Sequence, residues 1–471
     1  MRKAMLLLVL LTTSLAATQS SSEPDWTAVE AEALRHFQAI VRLDTTDPPG
    51  GEKPVADYLT QVLEKEGIPV QTFALEPNRP NIVARLKGNG SKRPLLILGH
   101  TDTVNVDAKK WSFPPFSAER DGGYVYGRGT VDDKDNVIGA LMTMLLLKRM
   151  KVPLERDVIF LAEAGEEGST RVGIQFMVNQ HYDAIDAEYC YAEGGTVTRV
   201  GGKVKFASVQ TVEKIPRAIK LTAKGTAGHG SVPLEDNAVA HLGEAVGAVA
   251  AWTPPTRLNE TTATYFKRLA TVSTPEEAER YRNALSPDPT IAGPAQDYLR
   301  KNEQRHWSML RTSLSPTIIQ GGYRSNVIPS EATANIDVRQ TPDEDAKAFL
   351  ELVKNVVNDP QITVEYANPA SADRPPTPTA RLDSDAFKVL ESMLTKHYSA
   401  ITLPTMSTGA TDMAYLRQKG MQCYGIGPAL DVEDGPKGFG AHSDQERILE
   451  AELYRFVRFQ YDVVMALAAS R

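Results

Sequence analysis

Three short apolar runs constrain this chain more than any other feature: Leu95-Leu-Ile-Leu98, Val158-Ile-Phe-Leu161 just after Asp157, and Tyr189-Cys-Tyr-Ala192. None shows the polar alternation of a strand with one wet face. They read as strands buried on both faces, the pattern of a largely parallel sheet. Segments with helical spacing lie around them, at 26–43, 54–66 (apolar at Val55, Leu59 and Leu63), 137–150 and 172–179, with a further short strand at 81–86. Strands alternating with helices imply an α/β domain with a mostly parallel central sheet.

The order changes near residue 214. Strands are expected at 217–223, 317–319, 332–338 and 362–366, with helices at 238–252 and 344–357. That succession is α+β, ferredoxin-like in type. The stretch 254–316 is polar, with scattered prolines and helix-like patches, and is expected to add walls over a cleft. A Pro-rich linker at 369–378 precedes a helix at 384–397, a strand at 422–426 and a last helix at 450–468. A chain of 471 residues exceeds the size of one compact core. The expected division is a catalytic domain in two parts, 21–213 and 368–471, interrupted by an inserted domain at 214–367.

Residues 1–20 read as a secretory signal peptide: Arg2 and Lys3, an apolar run from Ala4 to Leu11, then small residues at Ser14, Ala16 and Ala17. The run is too short to span a membrane, and no later segment is apolar for long enough. Export to the periplasm or the medium is expected. The net charge of -7 gives no electrostatic reason to expect nucleic acid or an anionic membrane as partner. Cys190 and Cys423 are too few for a disulfide framework and are expected to be free thiols in the core.

The chemistry gathers where strands end, which is where parallel sheets place their active sites. His100 and Asp102 follow the first apolar run, Glu163, Glu166 and Glu167 the second, and Glu193 the third. Asp132, Asp133 and Asp135 crowd a glycine-shaped loop before a helix, and His442 lies late in the chain before Glu446. Crowded carboxylates call for a cation, and two His with several carboxylates suit two zinc-type ions. A carboxylate between the ions and a bridging water would complete a hydrolytic centre.

This set, in this order, resembles the metallopeptidase family of acetylornithine deacetylase, succinyl-diaminopimelate desuccinylase, aminoacylase and bacterial glutamate carboxypeptidase, from about residue 30 to the end. The resemblance implies that His100 and Glu193 bind one zinc, that Glu167 and His442 bind the other, and that Asp132 bridges both, its bond to Asp133 resembling the family's unusual cis peptide. Asp102 would orient His100, and Glu166 would be the general base. The segment Gly225-Thr-Ala-Gly-His229 resembles the family's lid motif, whose His reaches the partner subunit's site. Asn326 and Arg339 match lid residues that bind substrate and its carboxylate, and Gly409 a loop lining the pocket. Asp135 stands where many relatives carry Gly.

By resemblance the lid makes a homodimer, and two zinc ions bind per subunit, with cobalt or manganese as alternatives. The implied activity is hydrolysis of a peptide or N-acyl amino acid beside a free carboxylate. Export favours a carboxypeptidase or dipeptidase. The alternatives are an aminoacylase-type deacylase, an aminopeptidase of the same chemistry, or a catalytically idle relative that binds zinc or peptides.

Overall fold

The computed structural model describes residues 23–369 and 377–470, so the expected signal peptide lies outside the described residues, as does most of the Pro-rich linker. Helices α1 (Trp26–Val41) and α2 (Lys53–Lys65) precede strands β1 (Val70–Ala74), β2 (Pro80–Leu86) and β3 (Leu95–His100), then the short β4 (Glu119–Asp121) and β5 (Tyr124–Tyr126). Next come α3 (Lys134–Arg149), β6 (Val158–Glu163), α4 (Ile174–Gln180), β7 (Tyr189–Ala192), β8 (Thr196–Val200) and β9 (Lys203–Glu213). The middle of the chain forms β10 (Ile215–Pro216), β11 (Ile219–Lys224), β12 (Gly228–His229) and α5 (Ala238–Ala251). Helices α6 (Glu260–Leu269), α7 (Pro275–Ala284), α8 (Pro289–Asn302) and α9 (Gln304–Met309) follow. After them come β13 (Ser313–Gly321), β14 (Val327–Ile328), β15 (Glu331–Gln340), α10 (Ala346–Val357) and β16 (Ile362–Tyr366). The last part holds α11 (Asp385–Tyr398), β17 (Thr402–Ser407), α12 (Met413–Gln418), β18 (Gln422–Gly425), β19 (Ala429–Asp431), β20 (Arg447–Leu449) and α13 (Glu450–Ala468).

The large sheet has ten strands in the order β1-β2-β6-β3-β7-β18-β9-β8-β19, with β17 also beside β9. Its centre, β6-β3-β7-β18, is parallel, and antiparallel pairings lie outside it. The apolar runs are continuous because the two faces serve two cores. Leu95, Ile97, Val158 and Phe160 pack with α1, α3 and α13, while Leu96, Leu98, Ile159 and Leu161 pack with α4 and α12. Helix α3 is buried without a break from Lys134 to Leu147, and from Val137 on it is apolar on nearly all sides, as a fully buried helix is. It meets α13 so closely that a Cβ on Gly139 would stand 2.0 Å from Gln460 Oε1.

A second sheet, antiparallel throughout, runs β13-β15-β11-β16 with β10 continuing beside β15. Its β11-α5-β13-β15-α10-β16 order is the ferredoxin-like arrangement expected from the sequence. Alternation is clean here: Ala332, Ala334, Ile336 and Val338 point into a core with Leu242, Phe349 and Val353. Asp345 caps α10 by accepting from the Ala348 amide, and Asn358 closes it in the left-handed conformation.

Helices α6 to α9 interrupt this second unit in sequence but pack elsewhere. Tyr265, Phe266 and Leu269 share a core with Val212, Leu403 and Met406 of β9 and β17 in the large sheet. Apolar surface at helical spacing inside a polar stretch has to find a partner, and the outer strands of the large sheet supply it.

Candidate metal centre

Parallel strands end on one edge of the large sheet, so the loops after β3, β6 and β7 bring His100, Glu166, Glu167 and Glu193 together. Asp132 comes from the loop before α3, and His442 from the loop before β20, at a backbone φ of +58°. The peptide bond between Asp132 and Asp133 is cis. His100 Nε2 lies 3.1 Å from Asp132 Oδ1, and His442 Nε2 lies 3.0 Å from Asp132 Oδ2. Each oxygen of one carboxylate therefore faces one imidazole. His442 Nε2 is also 2.8 Å from Glu167 Oε1. Ligand atoms of His100, Asp132 and Glu167, and likewise of His100, Glu166 and Glu193, lie within 4.8 Å of one another.

The supports are buried. His100 Nδ1 lies 3.1 Å from the carbonyl oxygen of Asp102 and 3.5 Å from its carboxylate. The Asp102 carboxylate accepts from the backbone amides of Glu166 and Glu167, at 3.2 and 2.9 Å. Asp102 thus holds the loop that carries both glutamates, and its main chain meets the imidazole. Asp133 accepts from the His100 amide at 3.2 Å and from Asn136 at 2.6 Å. The buried Lys134 ammonium donates to the carbonyls of Ile40 and Leu43, fixing α1 beside the loop.

The charge balance asks for cations. Burial, then the charges of Glu193, Asp412 and Glu167, holds the Glu166 carboxyl well above the usual range despite the nearby His100. Burial and Asp132 push Glu193 up to about 8. Bonds to Asp132 and Glu167 raise His442 to about 10. Without a cation the cluster must hold extra protons. Two divalent ions would compensate it directly, and the donor set of imidazole and carboxylate fits zinc-type ions.

Among the described residues, His229, Asn326, Arg339 and Gly409 make no hydrogen bond to this cluster. His229 pairs with Val327 in the ribbon of β12 and β14, its Nδ1 2.7 Å from Ser231 Oγ. The carbonyl of Asn326 accepts from the Gly230 amide, which joins the two motifs on one exposed ribbon. Arg339 sits opposite Pro216 and Ser313, its Nε 3.0 Å from Asp337. Gly409 donates its amide to Ser407 Oγ.

Sequence reasoning missed several buried charges around the centre. Asp135, expected in a loop, is fully buried at the start of α3. Arg79 joins Asp47 and Glu52 under the loop 165–168, and Arg128 joins Glu446. Nothing in their local spacing announces them, because their partners lie 27 to 318 residues away.

Comparison with known proteins agrees with this geometry. Residues 96–466 match the model of Peptidase family M20/M25/M40. A probable carboxypeptidase S-like 2 of Dictyostelium discoideum is 28% identical over 342 residues, 70% of this chain and 64% of that protein. The N-fatty-acyl-amino acid synthase/hydrolase PM20D1 of Xenopus tropicalis is 28% identical over 382 residues, 79% of this chain and 72% of that protein. In fold, the M20 family metallo-carboxypeptidase Sso-CP2 from Sulfolobus solfataricus superposes with a TM-score of 0.65 at 20% identity, covering 92% of this chain and 98% of that one. A match over this span, on a fold and a carboxylate–histidine cluster of this kind, means that the chain belongs to peptidase family M20/M25/M40, a family of metal-dependent peptidases and amidohydrolases.

Proposed function

We propose that the protein is an exported zinc hydrolase that cleaves the amide bond of a peptide or N-acyl amino acid beside a free carboxylate, in the manner of a carboxypeptidase or dipeptidase. The observation that carries this reading is the Asp132 carboxylate between the two imidazoles, with Glu166 close to His100 and Glu193. In this reading His100, Asp132 and Glu193 hold one ion, and Asp132, Glu167 and His442 hold the other. Bound there, two divalent ions supply an acidified water and a polarised carbonyl.

The chain's own residues do the rest. Glu166 takes a proton at its carboxylate and returns it to the leaving amine, a task suited by the high proton affinity that burial gives it. Asp102 keeps Glu166 and Glu167 in register by accepting both their amides. Arg339 grips the substrate carboxylate with its planar fork, and Asn326 and the Gly409 loop line the pocket. His229 donates to the oxyanion of the partner subunit across a homodimer built on the inserted domain. The domain division 21–213, 214–367 and 368–471 belongs to the same proposal, as does export, which rests on the signal-like residues 1–20.

A second reading, an N-acyl amino acid deacylase, is favoured by the match to an N-fatty-acyl-amino acid synthase/hydrolase. Amine release from a mixed panel of dipeptides and N-acyl amino acids, with and without chelator, separates the two. Glu166→Gln should keep both metals and lose most turnover. Unchanged turnover removes Glu166 from the mechanism, and no release from any substrate with two metals bound supports an idle relative.

A further inference from the structure

His442 reaches the centre from the far end of the chain. The ions would bind strongly only if its loop is held against the loop carrying Asp132. The outer tethers of the 438–446 segment are exposed: Lys110 to Asp444 at 3.1 Å and the Ser112 amide to Gln445 at 3.2 Å. The inner tether is different. Arg128 and Glu446 are 3% and 0% exposed, and Arg128 Nη1 donates to Glu446 Oε2 at 2.7 Å. The other Glu446 oxygen accepts from the Val131 amide at 2.7 Å, the residue before Asp132. Arg128 Nη2 donates to the carbonyl of Ser443, the residue after His442, also at 2.7 Å.

The main chain continues the clamp. The Gly127 amide donates to the Glu446 carbonyl at 3.0 Å, and Arg447 pairs with Tyr126 as β20 runs beside β5. One ion pair thus reaches the neighbours of both Asp132 and His442. The His100–Glu193 position shares Asp132 but takes its other two ligands from the ends of β3 and β7, adjacent parallel strands of the large sheet, and uses no residue of the 438–446 segment.

We propose that the buried Arg128–Glu446 pair is the positioning element that sets His442 against Asp132, and that it governs the metal position formed by Asp132, Glu167 and His442 while leaving the His100–Glu193 position in place. Neither residue touches metal or substrate. Both act through the loops they join, as partners outside the ligand set commonly do. The inference rests on the two-metal reading above.

The test is zinc binding by the full chain, stripped with chelator and titrated with zinc against a chromophoric competitor, with bound metal counted by elemental analysis. Wild type should take up two zinc ions. Glu446→Gln should hold one as wild type does and bind the second about 10–100-fold more weakly. Arg128→Lys keeps the charge but loses the forked contact to Ser443, and should fall between them. Two equally tight ions in both variants would overturn the proposal. So would equal weakening of both positions, or loss of the folded circular-dichroism spectrum in either variant, because each makes the pair a general support. Wild type that binds no zinc would instead overturn the two-metal reading itself.

Discussion

Replacing Arg79 by Met should destabilise the protein in a pH-dependent way, because of where its guanidinium sits. Arg79 Nη2 is 2.6 Å from Asp47 Oδ2 and 2.5 Å from Glu52 Oε1, and its Nε is 3.0 Å from Glu52 Oε2. Oxygens of Asp47, Glu52 and Asp102 lie within 4.8 Å of one another, and the guanidinium answers two of these buried carboxylates, Asp47 and Glu52. Breaking a buried pair by removing one partner costs about 3–5 kcal/mol, a factor of roughly 10² to 10³ or more in the folding constant.

The pH dependence follows from Glu52. Burial already raises its carboxyl, and Arg79 pulls it back down while Asp102 pushes it up. Without Arg79 the folded state holds a proton on Glu52 to higher pH than the unfolded chain does. The folded state then binds more protons, and stability falls as pH rises from about 4.3 toward the raised folded value. The deficit of Arg79→Met should be small near pH 5 and full at neutral pH. Urea unfolding of wild type and variant at both pH values, with chelator present, measures it. A deficit below about 1 kcal/mol at neutral pH, or one equal at both pH values, would refute the reasoning.

Three further outcomes are expected. Burial, then the charges of Arg339 and Arg311, lowers the Lys214 ammonium to about 7, and its Nζ is held by the hydroxyls of Ser308 and Ser313. The unfolded chain binds the extra proton between about 7 and 10.4, so stability should gain from this group as pH rises through that window, and Lys214→Met should remove the gain in pH-dependent urea unfolding. A Cβ at Gly173 would stand 1.9 Å from the carbonyl oxygen of Ala164, so Gly173→Ala should shift the loop bearing Glu166 and lower kcat by about a hundredfold, checked by steady-state kinetics. Chelation should lower the melting temperature, with zinc at a hundred times its Kd restoring about 2.7 kcal/mol in a thermal scan.

Much of the centre was legible because its logic is local. His100, the Glu166–Glu167 pair and Glu193 each follow an apolar run, and a buried parallel strand can only expose what lies at its end. The supports were not legible. Cys190 and Cys423 read correctly as buried free thiols, yet nothing in the sequence says that they stand side by side on β7 and β18. The Asp102 carboxylate was expected beside His100, and it lies 3.5 Å from the imidazole, but the sequence did not show that it also accepts from the amides of Glu166 and Glu167.

The sequence by itself determined the α/β class, the ferredoxin-like order of the second unit and the residue types of the centre. Periodicity and strand-end position depend only on near neighbours along the chain. Only the tertiary structure decided that β17 would pair with β9, that α6 to α9 would cover the large sheet, and that Glu446 would meet Arg128 318 residues away. Such contacts are chosen by shape and by the need to compensate buried charge. Neither has a local signature, so the same residues read in isolation fit a solvated loop as well as a buried clamp.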